Sequence, residues 1–211
     1  AEFKFGAGRG TTNMAMLTIG TGVGGAIIAD SNLLRGGFGI GGELGHIRVV
    51  PEGLLCGCGA HGCLEQYGSG TALLTAARKL ADAATAEGQT LRRLRDEAGE
   101  LTGHQVYEAI LQGDAGALRL LSELGTWLGE AVASLTAVLD PEVLVIGGGE
   151  IYTQSMEMAN TIFLTRVHTT IDGDTFFPKI DETKWQLVSN EDFEMDEKHA
   201  FSYSFQKWEK K

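Results

Sequence analysis

The stretch His46–Glu65, HIRVVPEGLLCGCGAHGCLE, holds all three cysteines of the chain, at Cys56, Cys58 and Cys63. Glycines at 57, 59 and 62 let the backbone turn back on itself there. Three cysteines cannot pair off without leaving a thiol over, and a Cys-x-Cys pair is poorly placed to bridge itself. The spacing His46-x9-Cys56-x-Cys58-x4-Cys63 therefore predicts a closed tetrahedral zinc site with those four ligands. His61, inside the loop, is the alternative imidazole, and three unrelated reduced cysteines are the plain alternative to a metal. A closed set of this kind is structural and leaves no open position for substrate.

Upstream, MAMLTIGTGVGGAIIAD (14–30) reads as two apolar strands joined by the turn Gly20-Thr21-Gly22, with Gly24 just beyond. Small residues there let backbone N–H groups approach an anion, and Thr21 adds a hydroxyl; alone, the pattern is equally an ordinary tight turn. Residues 33–46 form a flexible connection into the cysteine loop. Left to themselves, Glu43 is a solvated loop acid and Glu65 a carboxylate favoured in the first turn of a helix. Downstream, a helix is expected from Leu64 to about Ala86, then a polar interruption with a short helical turn. Thr102–Gln105 fits a capping box, with His104 at the surface. Asp114 caps a long amphipathic helix that Asp140-Pro141 stops, and Trp127 on it belongs to a core or a subunit interface. Residues 141–149 read as a buried strand ending in the turn Gly147-Gly148-Gly149.

Gly42-Glu43-Leu44-Gly45-His46, followed by Cys56-Gly57-Cys58-Gly59-Ala60-His61-Gly62-Cys63-Leu64-Glu65, resembles the motif of the ROK family of sugar kinases, of the glucokinase-like kind, and sugar-responsive repressors. The resemblance runs from residue 1 to about Gly149. It implies an α/β lobe of the actin/hexokinase (ribonuclease H-like) type with a zinc loop. It implies that Glu43 and Glu65 accept hydrogen bonds from sugar hydroxyls, and that His46 joins the sugar site to the zinc loop. It places Gly20, Thr21, Gly22 and Gly24 at the phosphates of ATP with Mg, and Gly147-Gly148-Gly149 by the adenosine. The sugar is glucose on family frequency, with N-acetylmannosamine, fructose and allose open.

Composition breaks at the same point. All but one of the 30 glycines lie in 1–149, and ten of the sixteen aromatics lie beyond. From Val145-Ile146-Gly147-Gly148-Gly149-Glu150-Ile151-Tyr152 onward, the chain resembles the C-terminal third of bacterial dihydrofolate reductase. Ile162-Phe163-Leu164-Thr165, Gly173–Pro178 and the alternating tail Phe201–Trp208 carry that likeness. Two domains are expected, 1–149 and 150–211, the second a small α+β segment. It would consist of a helix (150–158), a strand (161–170) and two further strands, with 161–170 paired to 197–208. In the reductase, the Gly147–Gly149 turn meets NADPH and Thr165 lies near the pterin; NADPH applies only if that tail works.

Both resemblances start after residues their families need. The kinase's first phosphate loop and its catalytic aspartate would precede Ala1, and the reductase's N-terminal two thirds are missing. No catalytic residue is assigned within the chain, and phosphoryl transfer by it alone is expected to be very slow. The reading is thus part of an ATP-dependent hexose kinase, joined to a reductase tail as an apparent chimera. The sensor part of a repressor and a reductase fragment are the alternatives. A net charge of −11 without a basic run excludes nucleic acid as a partner of this stretch. No apolar run is long enough for a membrane, and the start is no signal peptide. Reduced, metal-type cysteines suit the cytoplasm, and a homodimer is compatible with the apolar helices.

Overall fold

In the computed structural model of the chain, residues 2–83, 85–148, 156, 159–170, 177–196 and 201–211 are described. Two compact units emerge: residues 1–16, 27–34 and 141–211, and residues 17–26 and 35–140.

The first unit opens with a short helix, α1 (Glu2–Phe5). The expected hairpin is present as β1 (Met14–Ile19) and β2 (Val23–Ala29), whose outer ends belong to this unit and whose tip belongs to the second. With β3 (Asn32–Leu33) and β4 (Val143–Gly147) they form a sheet ordered β3-β2-β1-β4. Glu142 fastens the start of β4: its carboxylate accepts from the Thr12 hydroxyl and amide at 2.8 Å and from the Asn13 amide at 2.9 Å. β4 is less buried than its apolar sequence suggests, with Ile146 37 % exposed, because it is the terminal strand of the described sheet.

The remaining strands, β5 (Thr161–Val167), β6 (Trp185–Phe193) and β7 (Tyr203–Lys210), make a separate antiparallel sheet ordered β5-β7-β6. Strand 161–170 thus pairs with the tail as expected, in the register Ile162↔Trp208 and Leu164↔Gln206. The helix expected over 150–158 and residues 197–200 of the tail fall largely outside the described residues. β7 alternates strictly, burying Ser204, Gln206 and Trp208 on one face. Trp208, Ile162 and Trp185 pack together there. The same face carries a chain of hydrogen bonds that ends on one carboxylate. Trp208 Nε1 donates to Gln206, Gln206 to Asn190, and Asn190 to Asp192 Oδ1. Ser204 also donates to Asp192 Oδ1 at 2.6 Å, and the His168 ring meets Ser204 from the other side. The Asp192 carboxyl is held below its usual range by the Ser204 and Asn190 donors.

The second unit is mostly helical. Helix 64–86 is not continuous: α2 (Glu65–Gly68) and α3 (Gly70–Asp82) are separated at Ser69. Ser69 is extended, at φ −108° and ψ 164°, because its buried hydroxyl caps α3 by accepting from the Ala72 amide at 3.1 Å. The polar stretch after it is a full helix, α4 (Gln89–Ala98), not a single turn. Leu91 and Leu94, three residues apart, supply one buried stripe beneath a charged surface, and Gly99 ends the helix at φ +86°. α5 (Gly103–Leu111) starts with the expected capping box, Gln105 accepting from the Thr102 amide at 3.0 Å, and His104 is exposed. α6 (Ala115–Leu139) is capped by Asp114 and stopped at Asp140, φ +43°. The core of this unit joins Ala77 and Ala81 of α3, Leu91 and Leu94 of α4, Val106 and Ala109 of α5, and Ala117 and Leu120 of α6. Each buried leucine there contributes about 1.5–3 kcal/mol.

Candidate functional site

Gly20–Gly24, Glu43, Glu65, His46 and the three cysteines lie in the second unit, and the Gly147 turn lies in the first. The cysteine loop closes on itself through backbone hydrogen bonds. The Cys56 amide donates to Ala60 O at 2.8 Å, Gly59 to Cys56 O at 2.9 Å, and Gly62 to Leu54 O at 2.8 Å. These bring His46, Cys56, Cys58 and Cys63 together, their ligand atoms all within 4.8 Å of one another. His46 Nδ1 is 3.6 Å from Cys56 Sγ, and Cys58 Sγ is 3.7 Å from Cys63 Sγ. A tetrahedron with zinc–sulfur bonds of about 2.3 Å and a zinc–nitrogen bond of about 2.05 Å has edges of about 3.8 Å (S···S) and about 3.6 Å (S···N). The group fits zinc in donor type, and these two distances match tetrahedral edges, while the set as a whole spans up to 4.8 Å and must contract a little to close on an ion. The alternative ligand is set aside: the His61 ring engages Gly53 O at 2.9 Å and stands outside the group.

Burial differs within the set. Cys56 and Cys63 are 3 % and 1 % exposed, whereas Cys58 is open. Burial pushes the Cys63 thiol up to about 12, and a hydrogen bond from the Ala60 backbone lowers that of Cys58.

Two residues past Cys63, Glu65 opens α2 and is half-buried. Its Oε2 accepts from the Val23 amide at 3.0 Å, so the carboxylate reaches the hairpin turn. A Cβ on Gly22 would run into that carboxylate, so Gly22 is what lets it in. The turn is also tied to α3. Gly20 O accepts from the Gly70 amide at 2.8 Å, and Thr21 O from the Thr71 amide at 3.3 Å. With Ser69 on Ala72, the first three amides of α3 are satisfied, and the turn's carbonyls are held towards the helix. Glu43 is exposed at the start of the 3-10 turn Leu44–His46. Gly147 ends β4, Gly148 is at φ +147°, and Gly149 lies outside the described residues.

Sequence reasoning missed two features. Tyr67 accepts from the Leu54 amide at 2.7 Å and packs against Trp127 with centroids 5.4 Å apart, pinning the cysteine loop to α6. Behind the turn is a cavity of about 410 Å³ lined by Thr21, Gly22, Glu65, Thr75, Lys79 and Trp127, among others. Thr75 and Lys79 are four apart on α3 and so share a face, a signal that is weak until the turn is known to sit beside them.

A glycine hairpin in a β-sheet, a carboxylate against its turn and a loop of three cysteines and one histidine beside that carboxylate mark the candidate site of an α/β fold. The chain belongs to the ROK family, whose model matches residues 1–169. It is 44 % identical over 149 residues to a glucokinase of Streptomyces coelicolor, covering 70 % of this chain and 47 % of that protein. A ROK family glucokinase from Streptomyces griseus, solved with glucose and AMPPNP, superposes with a TM-score of 0.62 at 45 % identity, covering 71 % of this chain and 48 % of that one. A ROK family transcriptional regulator, a homolog of the E. coli MLC protein, gives a TM-score of 0.53 at 30 % identity over 70 % and 37 % of the two chains. The chain spans about half the length of the curated relatives it matches. The family match passes Gly149 and takes in β5. No helix among the described residues is long and apolar enough to cross a membrane.

Proposed function

We propose that this chain is the sugar- and nucleotide-binding portion of an ATP-dependent hexose kinase of glucokinase type. The carrying observation is the position of Glu65, two residues from a cysteine of the metal group and hydrogen-bonded to the hairpin turn. One side chain thereby links the element that would hold sugar to the element that would hold phosphate. Glu65 and Glu43 accept adjacent sugar hydroxyls, each carboxylate offering two acceptor oxygens. His46 uses Nδ1 towards the metal, which leaves Nε2 for the sugar. His46, Cys56, Cys58 and Cys63 would hold a structural zinc, whose role is to fix those three residues. Gly20, Thr21, Gly22 and Gly24 face the phosphates of MgATP, with the nucleotide extending into the cavity beside Thr75 and Lys79. Gly147-Gly148-Gly149 is the adenosine turn. Glucose is favoured because the similar solved structure holds it.

Calorimetry with glucose and with AMPPNP tests this. Glucose binding should be lost in Glu65→Gln with zinc content unchanged, and AMPPNP binding should weaken in Thr21→Val. Sugar binding with no nucleotide binding would favour the repressor reading, which the similarity to a transcriptional regulator supports.

For residues 150–211 the proposal is a reductase-derived segment joined to the kinase portion. The residue motifs alone support it; the ROK match through residue 169 takes in β5 and places any join later than Gly149. A single DNA read across codons 130–180, past the end of the ROK match, decides whether the join exists.

A further inference from the structure

We propose that Cys58 and Cys63 form a reversible disulfide under peroxide, and that this bond ejects the metal and releases Glu65. The inference rests on the metal reading above and adds a modification site to it. Cys58 is the one exposed sulfur of the three, reached from solvent at the tip of the loop, while Cys56 and Cys63 are buried. Its sulfur lies 3.7 Å from that of Cys63, and Cys56 is also a hydrogen-bonding neighbour of it. Cys56 is the poorer partner: one residue separates it from Cys58, a spacing that strains a disulfide ring, and its sulfur faces His46 at 3.6 Å. Between Cys58 and Cys63 the loop has Gly59 at φ +89° with nothing within 4 Å of where a Cβ would lie, which gives it room to close. Bringing 3.7 Å to a bond of about 2.05 Å requires about 1.7 Å of sulfur movement.

The chemistry balances with hydrogen peroxide as oxidant. The Cys58 thiolate attacks one peroxide oxygen, the O–O bond breaks, and hydroxide leaves, giving a sulfenic acid. The Cys63 thiolate then attacks the Cys58 sulfur, the S–O bond breaks, and a second hydroxide leaves. Two thiolates lose one electron pair in all, peroxide becomes two hydroxides that take up two protons as water, and the zinc loses two of its four ligands. Cys56 and His46 remain and cannot hold it. Cys63 precedes Glu65 by two residues, so its displacement acts directly on the carboxylate at the hairpin turn.

The test titrates zinc-loaded chain with peroxide, follows released zinc with a chromogenic chelator, alkylates the remaining thiols and maps the peptides. The expected result is one zinc released per Cys58–Cys63 bridge, with Cys56 alkylated, and full recovery on adding dithiol and zinc. Cys56→Ser should still form the bridge, and Cys58→Ser should not; if either variant fails to fold, the mapping of the unaltered chain stands alone. A bridge through Cys56, sulfinic acid without a bridge, or retained zinc overturns the inference. A chain that takes up no zinc before any peroxide is added refutes the metal site itself, a separate outcome.

Discussion

Two glycines of the cysteine loop have nearly the same backbone angle and very different surroundings, which makes them a paired test of the metal site. Gly59 is at φ +89° with nothing within 4 Å of where a Cβ would lie. Gly62 is at φ +78°, and its Cβ would collide with the Val50 carbonyl oxygen and sit 2.7 Å from the carbonyl carbon. Gly62 is also fixed by hydrogen bonds: its carbonyl accepts from Val49 at 2.8 Å and Val50 at 3.2 Å, and its amide donates to Leu54 O at 2.8 Å. Gly59→Ala therefore costs only the left-handed conformation, about 1–2 kcal/mol. Gly62→Ala costs the same and must also break about two of those bonds at roughly 1 kcal/mol each, for about 3–4 kcal/mol in total. If the closed loop holds zinc as proposed, these costs come out of affinity at about 1.4 kcal/mol per tenfold. Zinc affinity should fall about tenfold in Gly59→Ala and about 10²–10³-fold in Gly62→Ala. Competition against a chelator of known affinity measures both. Losses that agree within about threefold would refute the reasoning, because the conformation alone would then explain them.

Three further outcomes are expected. Ser69→Ala removes the cap of α3 at a buried site and should cost about 1–2 kcal/mol, a fall of about 2–8 °C in melting temperature, whereas Ser69→Thr keeps the acceptor and most of the stability. Leu91→Ala, at a fully buried position, should cost about 2–5 kcal/mol in denaturant unfolding, and a cost near zero would mean that α4 does not pack as described. The Glu142 and Asp192 carboxyls are both held below their usual range, by Thr12 and by Ser204 respectively. The unfolded chain takes up their protons first as pH falls, so their contribution is present above about pH 4.3 and 3.9 and is lost as pH drops through the lower folded values. Glu142→Gln and Asp192→Asn should flatten the acid limb of a stability–pH curve, and an unchanged limb would count against those contacts.

The sequence by itself determined whatever rests on neighbours along the chain. The hairpin turn at Gly20–Gly22, the caps at Thr102 and Asp114 and the stop at Asp140-Pro141 are local patterns that the structure reproduces, and His46, Cys56, Cys58 and Cys63 cluster as their spacing suggests. The two misread helices were also local in form but not in cause. The helix from Leu64 breaks because Ser69 finds an amide to cap, and α4 exists because Leu91 and Leu94 have α3 and α5 to pack against. A charged segment with two leucines has too little apolar stripe to be helical alone, so only burial could settle it. Tertiary structure also separates the two imidazoles: His46 lies beside the Cys56 sulfur, whereas the His61 ring turns to Gly53 O. It also brought Glu65 to the Val23 amide across forty-two residues, a contact no spacing rule reaches. Periodicity and turn chemistry fix which elements form; the distances between side chains on different elements follow only when those elements share a core.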